Sequence, residues 1–128
     1  MTPPPVAIGL FICEQVIIDQ RTKNPSSISI FTGLAVTGFP LPPQRFSVFS
    51  SLTNGRGRAS IRLVVNRLDN GAECYQQVHP MDFPNPLMIS NVHFRVQEIR
   101  FPVSGRYEFV LYVDSDAVAQ RTLRVYQR

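Results

Sequence analysis

Hydrophobic and polar residues alternate along most of this chain, in runs of roughly eight to twelve residues separated by turn-forming clusters. The clearest run is residues 90–97. There Val92, Phe94 and Val96 fall on one side of an extended chain, and Asn91, His93, Arg95 and Gln97 on the other. Residues 107–113 repeat the pattern with Tyr107, Phe109, Leu111 and Val113. No window of about eleven residues or more places apolar positions at helical spacing. The pattern predicts about eight strands, mostly antiparallel, in a two-layer all-β sandwich.

Individual segments make more specific demands. Residues 7–18 are apolar on both faces, which predicts a central strand or one that switches sheets. "DQRTKNPSS" turns the chain back into a second strand over residues 28–36, and "GFPLPPQ" then breaks pairing, because proline cannot donate to a ladder. "NGRG" predicts a tight hairpin joining residues 45–53 to 58–68. It places Leu52 opposite Ala59, Val48 opposite Leu63 and Phe46 opposite Val65, all facing the core. "DNGA" is a stronger turn signal, since Asn70-Gly71 suits a type I′ turn. It sets Asn66 opposite Tyr75, Val64 opposite Gln77 and Arg62 opposite His79, on the outer face. "PMDFPNP" is too proline-rich for a ladder and long enough to cross between sheets. At the end, a three-residue loop over residues 115–117 pairs Phe109 with Leu123 and Tyr107 with Val125. Its outer face then sets Glu108 opposite Arg124 and Arg106 opposite Tyr126.

Composition narrows the picture. The chain has 128 residues, enough for one domain with one core, read as residues 6–128 behind a flexible proline-rich tail at residues 1–5. With 44% hydrophobic and 17% charged residues it is globular rather than disordered. The net charge is +4, and the basic residues other than Lys23 are all arginine, whose planar fork suits phosphate and carboxylate partners. No basic residue precedes the first apolar run and Glu14 interrupts it, so the start does not read as an export signal. No apolar stretch approaches the roughly 20 residues a bilayer requires. The expectation is a cytoplasmic chain with no membrane contact, in which Cys13 and Cys74 stay reduced.

Candidate chemistry is sparse. Cys13, Cys74, His79 and His93 match no metal-ligand spacing, so neither metal nor other cofactor is expected. There is no nucleophile elbow, and Ser104 sits in a tight turn with no neighbouring histidine. Asp114 and Asp116 share a hairpin tip, where aspartates shape turns. "NGRGR" joins strands rather than opening a helix, so it does not cradle phosphate. Glu14, alone among Ile12, Val16 and Ile18, is expected to be buried in a pair with Arg121 or Arg67. The residues point away from an enzyme and toward a binding module. The expected surface is Phe49, Arg62, Tyr75, Gln77 and His79, with Arg56 and Arg58 above it. Tyrosine and arginine are enriched at protein interfaces, which favours a protein partner or a second copy. The alternative is single-stranded nucleic acid, held by stacking and arginines.

The corner "FPVSGRYEF", with "LYVD" and "LRV" after it, resembles the last strands of immunoglobulin-like sandwiches. There a tyrosine beside a proline-glycine turn locks the corner, a part that falls to Tyr107. The pieces "CEQVIID", "SISIFTGL" and "FPVSGRYEFVLYVDSDAVAQRTLRV" are also similar to a family of short, uncharacterised bacterial single-domain proteins. The resemblance implies an immunoglobulin-like or jelly-roll connection of the strands and carries no activity. It also leads one to expect an aspartate-glycine turn where this chain has "DSD".

Overall fold

The computed structural model describes residues 3–128; Met1 and Thr2 of the expected tail lie outside the described residues. Nine strands follow one another: β1 (Val6–Ile18), β2 (Pro25–Ile30), β3 (Gly33–Val36), β4 (Gln44–Thr53), β5 (Gly57–Arg67), β6 (Glu73–Phe83), β7 (Ser90–Ile99), β8 (Gly105–Val113) and β9 (Asp116–Gln127). They form a four-stranded sheet in the order β2-β1-β4-β7 and a five-stranded sheet in the order β3-β9-β8-β5-β6. Every pairing is antiparallel except β3 with β9. The fold is the expected all-β sandwich.

The core lies between the sheets and is supplied by the alternating positions. Ile12, Val48 and Phe94 come from one sheet, and Leu63, Phe109, Leu111 and Leu123 from the other, none more than 1% exposed. Val92, Phe94 and Val96 face inward as the alternation requires. Phe46 of the first sheet reaches Phe109 of the second at 5.8 Å between ring centroids, with Phe31 at 5.9 Å on its other side. Phe101 packs edge-on against Tyr107 at 4.7 Å. The Tyr107 hydroxyl donates to the Val103 carbonyl at 2.6 Å, so this tyrosine does lock the corner.

The predicted second strand is two strands. After Ile30 the chain leaves the first sheet, and at Gly33 it joins the second. Two hydrogen bonds bracket the switch, Phe31 N–H to the Ile12 carbonyl and Arg124 N–H to the Thr32 carbonyl. β1 is the expected central strand, between β2 and β4.

Four local expectations fail, each for an identifiable reason. "NGRG" is a crossover rather than a hairpin, since β4 pairs with β1 and β7 and β5 with β6 and β8. The hairpin register is self-consistent all the same, because residues facing across a sandwich show the same inward parity as neighbours in one sheet. The "DNGA" turn closes two residues earlier, at Arg67 and Ala72. Asp69 is held by the Arg67 guanidinium at 2.7 Å, and the Asn70 side chain accepts from Ala72 N–H. A bulge then shifts the register, so that Tyr75 opposes Val65, Gln77 opposes Leu63 and His79 opposes Ile61.

Third, β6 runs through Pro80 to Phe83. Ser60 exchanges hydrogen bonds with Asp114 on the β8 side, so its partner Pro80 faces the free edge, where no donor is needed. Fourth, the last hairpin slips by two residues around a turn with Asp114 at φ 53°, giving Tyr107–Leu123 and Phe109–Arg121 pairs. The inward faces survive that even slip. Arg106 now opposes Arg124 and Glu108 opposes Thr122, while Arg124 lies over the Tyr126 ring at 4.6 Å.

Candidate functional site

The one-residue slip in β6 decides where the expected binding residues stand. Side chains alternate along a strand, so a slip of one transfers a whole set to the other face. Tyr75, Gln77 and His79 remain together, but they face the opening between the sheets instead of the outer surface. β6 and β7 are the edge strands along that opening. Tyr75 and Gln77 of β6 and Arg95, Gln97 and Glu98 of the β7 side line a cleft of about 360 Å³. His79 stands further along, its ring 5.5 Å from that of Phe94. Tyr75 is half-buried, and burial pushes its phenol above the ordinary value, so it stays protonated.

Gln77 sits at the centre. Its Nε2 donates to the Arg95 carbonyl of β7 across 3.5 Å, a long bond. Its Oε1 is buried and finds no donor among the described residues. A buried acceptor left in this state costs about 1–3 kcal/mol relative to a satisfied one. The amide is therefore half-satisfied, at the point where one edge reaches the other.

The remaining expected residues are not gathered here. Arg62 lies on the outer face of the second sheet, its guanidinium 4.5 Å from the Tyr112 ring centroid. Phe49 lies on the outer face of the first sheet, in register with Phe11 and His93. Arg58 stands 4.0 Å from Asp82, both largely exposed. Arg56 lines a cavity of about 240 Å³ at one end of the sandwich, with Pro3, Pro4, Pro5, Asp114 and Asp116. Glu14 is exposed instead of buried, because β1 leaves β4 after Cys13. Of its expected partners, Arg67 bonds Asp69 and Arg121 lies over the Phe11 ring.

The outer face of the first sheet holds a contact invisible in the sequence. β4 and β7 pair Ser47 with Arg95 and Phe49 with His93, and His93 Nε2 comes within 2.9 Å of Ser47 Oγ. Only the pairing of two strands far apart in sequence brings these groups together. Ser47 is buried, and among the described residues no carboxylate hydrogen-bonds His93 to orient it as a catalytic base. Burial, and then the charge of Arg95, hold the imidazole below its ordinary value of 6.5, so it is neutral at pH 7. The unfolded chain takes up that proton near the ordinary value and the folded chain does not. Stability from this site is therefore complete above pH 6.5 and lost as pH falls below it. The melting temperature is expected to drop between about pH 7 and pH 5, and to drop less in His93→Asn, as calorimetry at each pH will measure.

Cys13 and Cys74 are free thiols, and burial pushes both above the ordinary value. They are weak nucleophiles in this state. Among the described residues, no three or more His, Cys, Asp or Glu side chains stand together as a metal site. Among the described residues, no helix is long and apolar enough to cross a membrane.

Two solved structures are similar in outline. An immunoglobulin-like protein from Pseudomonas aeruginosa aligns over 97% of this chain and 98% of its own, at 11% identity and a TM-score of 0.46. The Pseudomonas fluorescens alkylpurine DNA glycosylase AlkC, solved bound to DNA containing an abasic site analogue, aligns over 91% of this chain and 30% of its own, at 6% identity and a TM-score of 0.49. No curated protein matches the sequence. A family model described as a family of unknown function, DUF6941, matches residues 9–126. That match takes in almost the whole sandwich, from the bulge of β1 to the end of β9, and the chain belongs to the DUF6941 family.

Proposed function

We propose that this chain is a non-enzymatic module that binds protein, and that its contact surface is the cleft between β6 and β7. The observation that carries the proposal is the Gln77 amide, whose buried Oε1 has no donor and whose Nε2 makes only a long bond. A partner that frees or completes this amide gains what the unbound chain forgoes. Tyrosine, glutamine and arginine around it are suited to a polar, adaptable contact. The cleft carries one arginine and one glutamate, which is not the field a polyanion requires. Arg56, Arg58 and Arg62, the residues of the nucleic-acid alternative, stand at the end of the sandwich, beside Asp82 and over Tyr112. The buried Ser47 and the protonated thiols support a role without catalysis, and two free cysteines suit a cytoplasmic address.

Photo-crosslinking inside cells tests this. A benzophenone side chain at Tyr75 should yield discrete protein adducts, and the same group at Thr122, on the outer face of the second sheet, should not. Adducts from Thr122 alone would move the surface and refute the proposal.

A further inference from the structure

Among the described residues, every sheet edge is guarded except the stretch of β7 from Ser90 to Val96. β3 has four residues, and β2 begins at Pro25 and carries Ser29 at φ 56°. The free part of β1 is bent by Gly9 at φ 75°, where its register shifts. The free part of β9 lies against β1, with Arg121 over Phe11. β6 is bulged near its start and carries Pro80. These are the devices by which natural sheets prevent unwanted pairing. β7 carries only a register shift at its far end, past Val96; from Ser90 to Val96 it has no proline, glycine or positive φ, and its pairing with β4 is unbroken.

The open backbone groups of β7 can be named. In an antiparallel strand, the N–H and C=O of one residue point the same way and alternate along the chain. The Arg95 carbonyl is reached from outside by Gln77, so Asn91, His93 and Arg95 all direct their backbone groups away from β4. Among the described residues only the Arg95 carbonyl finds a partner there, and that partner is a side chain standing where an added strand's N–H would be.

We infer that β7 is a strand acceptor, kept closed in the free protein by the Gln77 amide, and that its occupant is an extended segment of another protein. This rests on the proposed function and specifies its geometry. The segment displaces Gln77 from Arg95, becomes a fifth strand of the first sheet and leaves the amide free to find water. Alternate residues of the segment point between the sheets toward Tyr75 and His79, where apolar groups fit. The residue opposite Arg95 shares its outer face, where an acidic side chain is favoured. A second copy is a poorer occupant, because its own β7 is covered by its own Gln77 and pairing would expel both.

The probe is a displayed library of random dodecapeptides panned on the intact chain, followed by amide exchange with the enriched peptides. Bound peptides should protect the amides of Asn91, His93 and Arg95. N-methylation of the peptide should abolish binding at alternate residues and be tolerated between them. Arg95→Pro, which removes an outward N–H, should weaken binding roughly tenfold, and Gln77→Ala should tighten it several-fold. Tightening is the result a merely supporting role for Gln77 does not give. Peptides that crosslink at Tyr75 but leave those three amides unprotected would overturn strand addition and leave the protein-binding proposal standing. Failure to enrich any peptide would overturn both, and a dimer in light scattering would replace the foreign segment with a second copy.

Discussion

Phe109→Ala should remove about 3–5 kcal/mol of folding free energy, enough to leave a domain of ordinary stability close to unfolding. Phe109 is completely buried, and its ring meets Phe46 of the opposite sheet at 5.8 Å. Truncation forfeits the transfer of a whole ring from water and leaves a cavity that two rigid sheets cannot close. Urea unfolding should show a lower midpoint with an unchanged slope, since the surface exposed on unfolding hardly alters. Coupling to Phe46→Ala should be about 0.5–1.5 kcal/mol, the range of an aromatic pair beyond its buried area. A loss below about 1 kcal/mol would mean that Phe109 does not join the sheets.

Gly55→Ala should cost about 1–3 kcal/mol although it adds only a methyl group. Gly55 is buried in the crossover from β4 to β5, and a Cβ there would overlap the Phe83 ring close to its attachment. The near end of a ring cannot swing aside as the tip of a flexible side chain can. Phe83 is itself buried at the end of β6, so relief requires moving that strand. Gly57→Ala is a useful contrast, since φ is 65° there but a Cβ meets nothing within 4 Å. Backbone strain alone acts at Gly57, whereas steric overlap acts at Gly55. Comparable losses in thermal melts of the two variants would contradict this packing of the crossover.

The pattern of the chain revealed the sandwich because inward parity is a property of each strand by itself. Val92, Phe94 and Val96 are buried whatever β7 pairs with, and so are Tyr107 and Phe109. Pairing is different, since it depends on events a few residues long. The inward residues of β4 and β5 read equally well as hairpin neighbours or as opposite walls of one core, and they are opposite walls. The candidate site turned on a single extra residue near Cys74. Tyr75, Gln77 and His79 share one face of one strand, as their spacing of two requires, and the bulge turns that face inward. Nothing in "DNGAECY" announces the bulge, because the Arg67–Asp69 contact that accompanies it competes with a turn signal of similar strength. The Ser47–His93 contact and the exposed Glu14 follow from which strand lies beside which. A period-two pattern does not carry that information.

β7 is an open edge from Ser90 to Val96, and amide hydrogen exchange on the free chain examines that edge residue by residue. The amides of Val92, Phe94 and Val96 bond β4 and should exchange slowly, while those of Asn91, His93 and Arg95 point outward and should exchange fast. The predicted result is an alternation along the strand, with the slow positions approaching the protection of the core. Uniform slow exchange from Asn91 to Val96 would contradict it, because the edge would then already be covered and no place would remain for a partner strand.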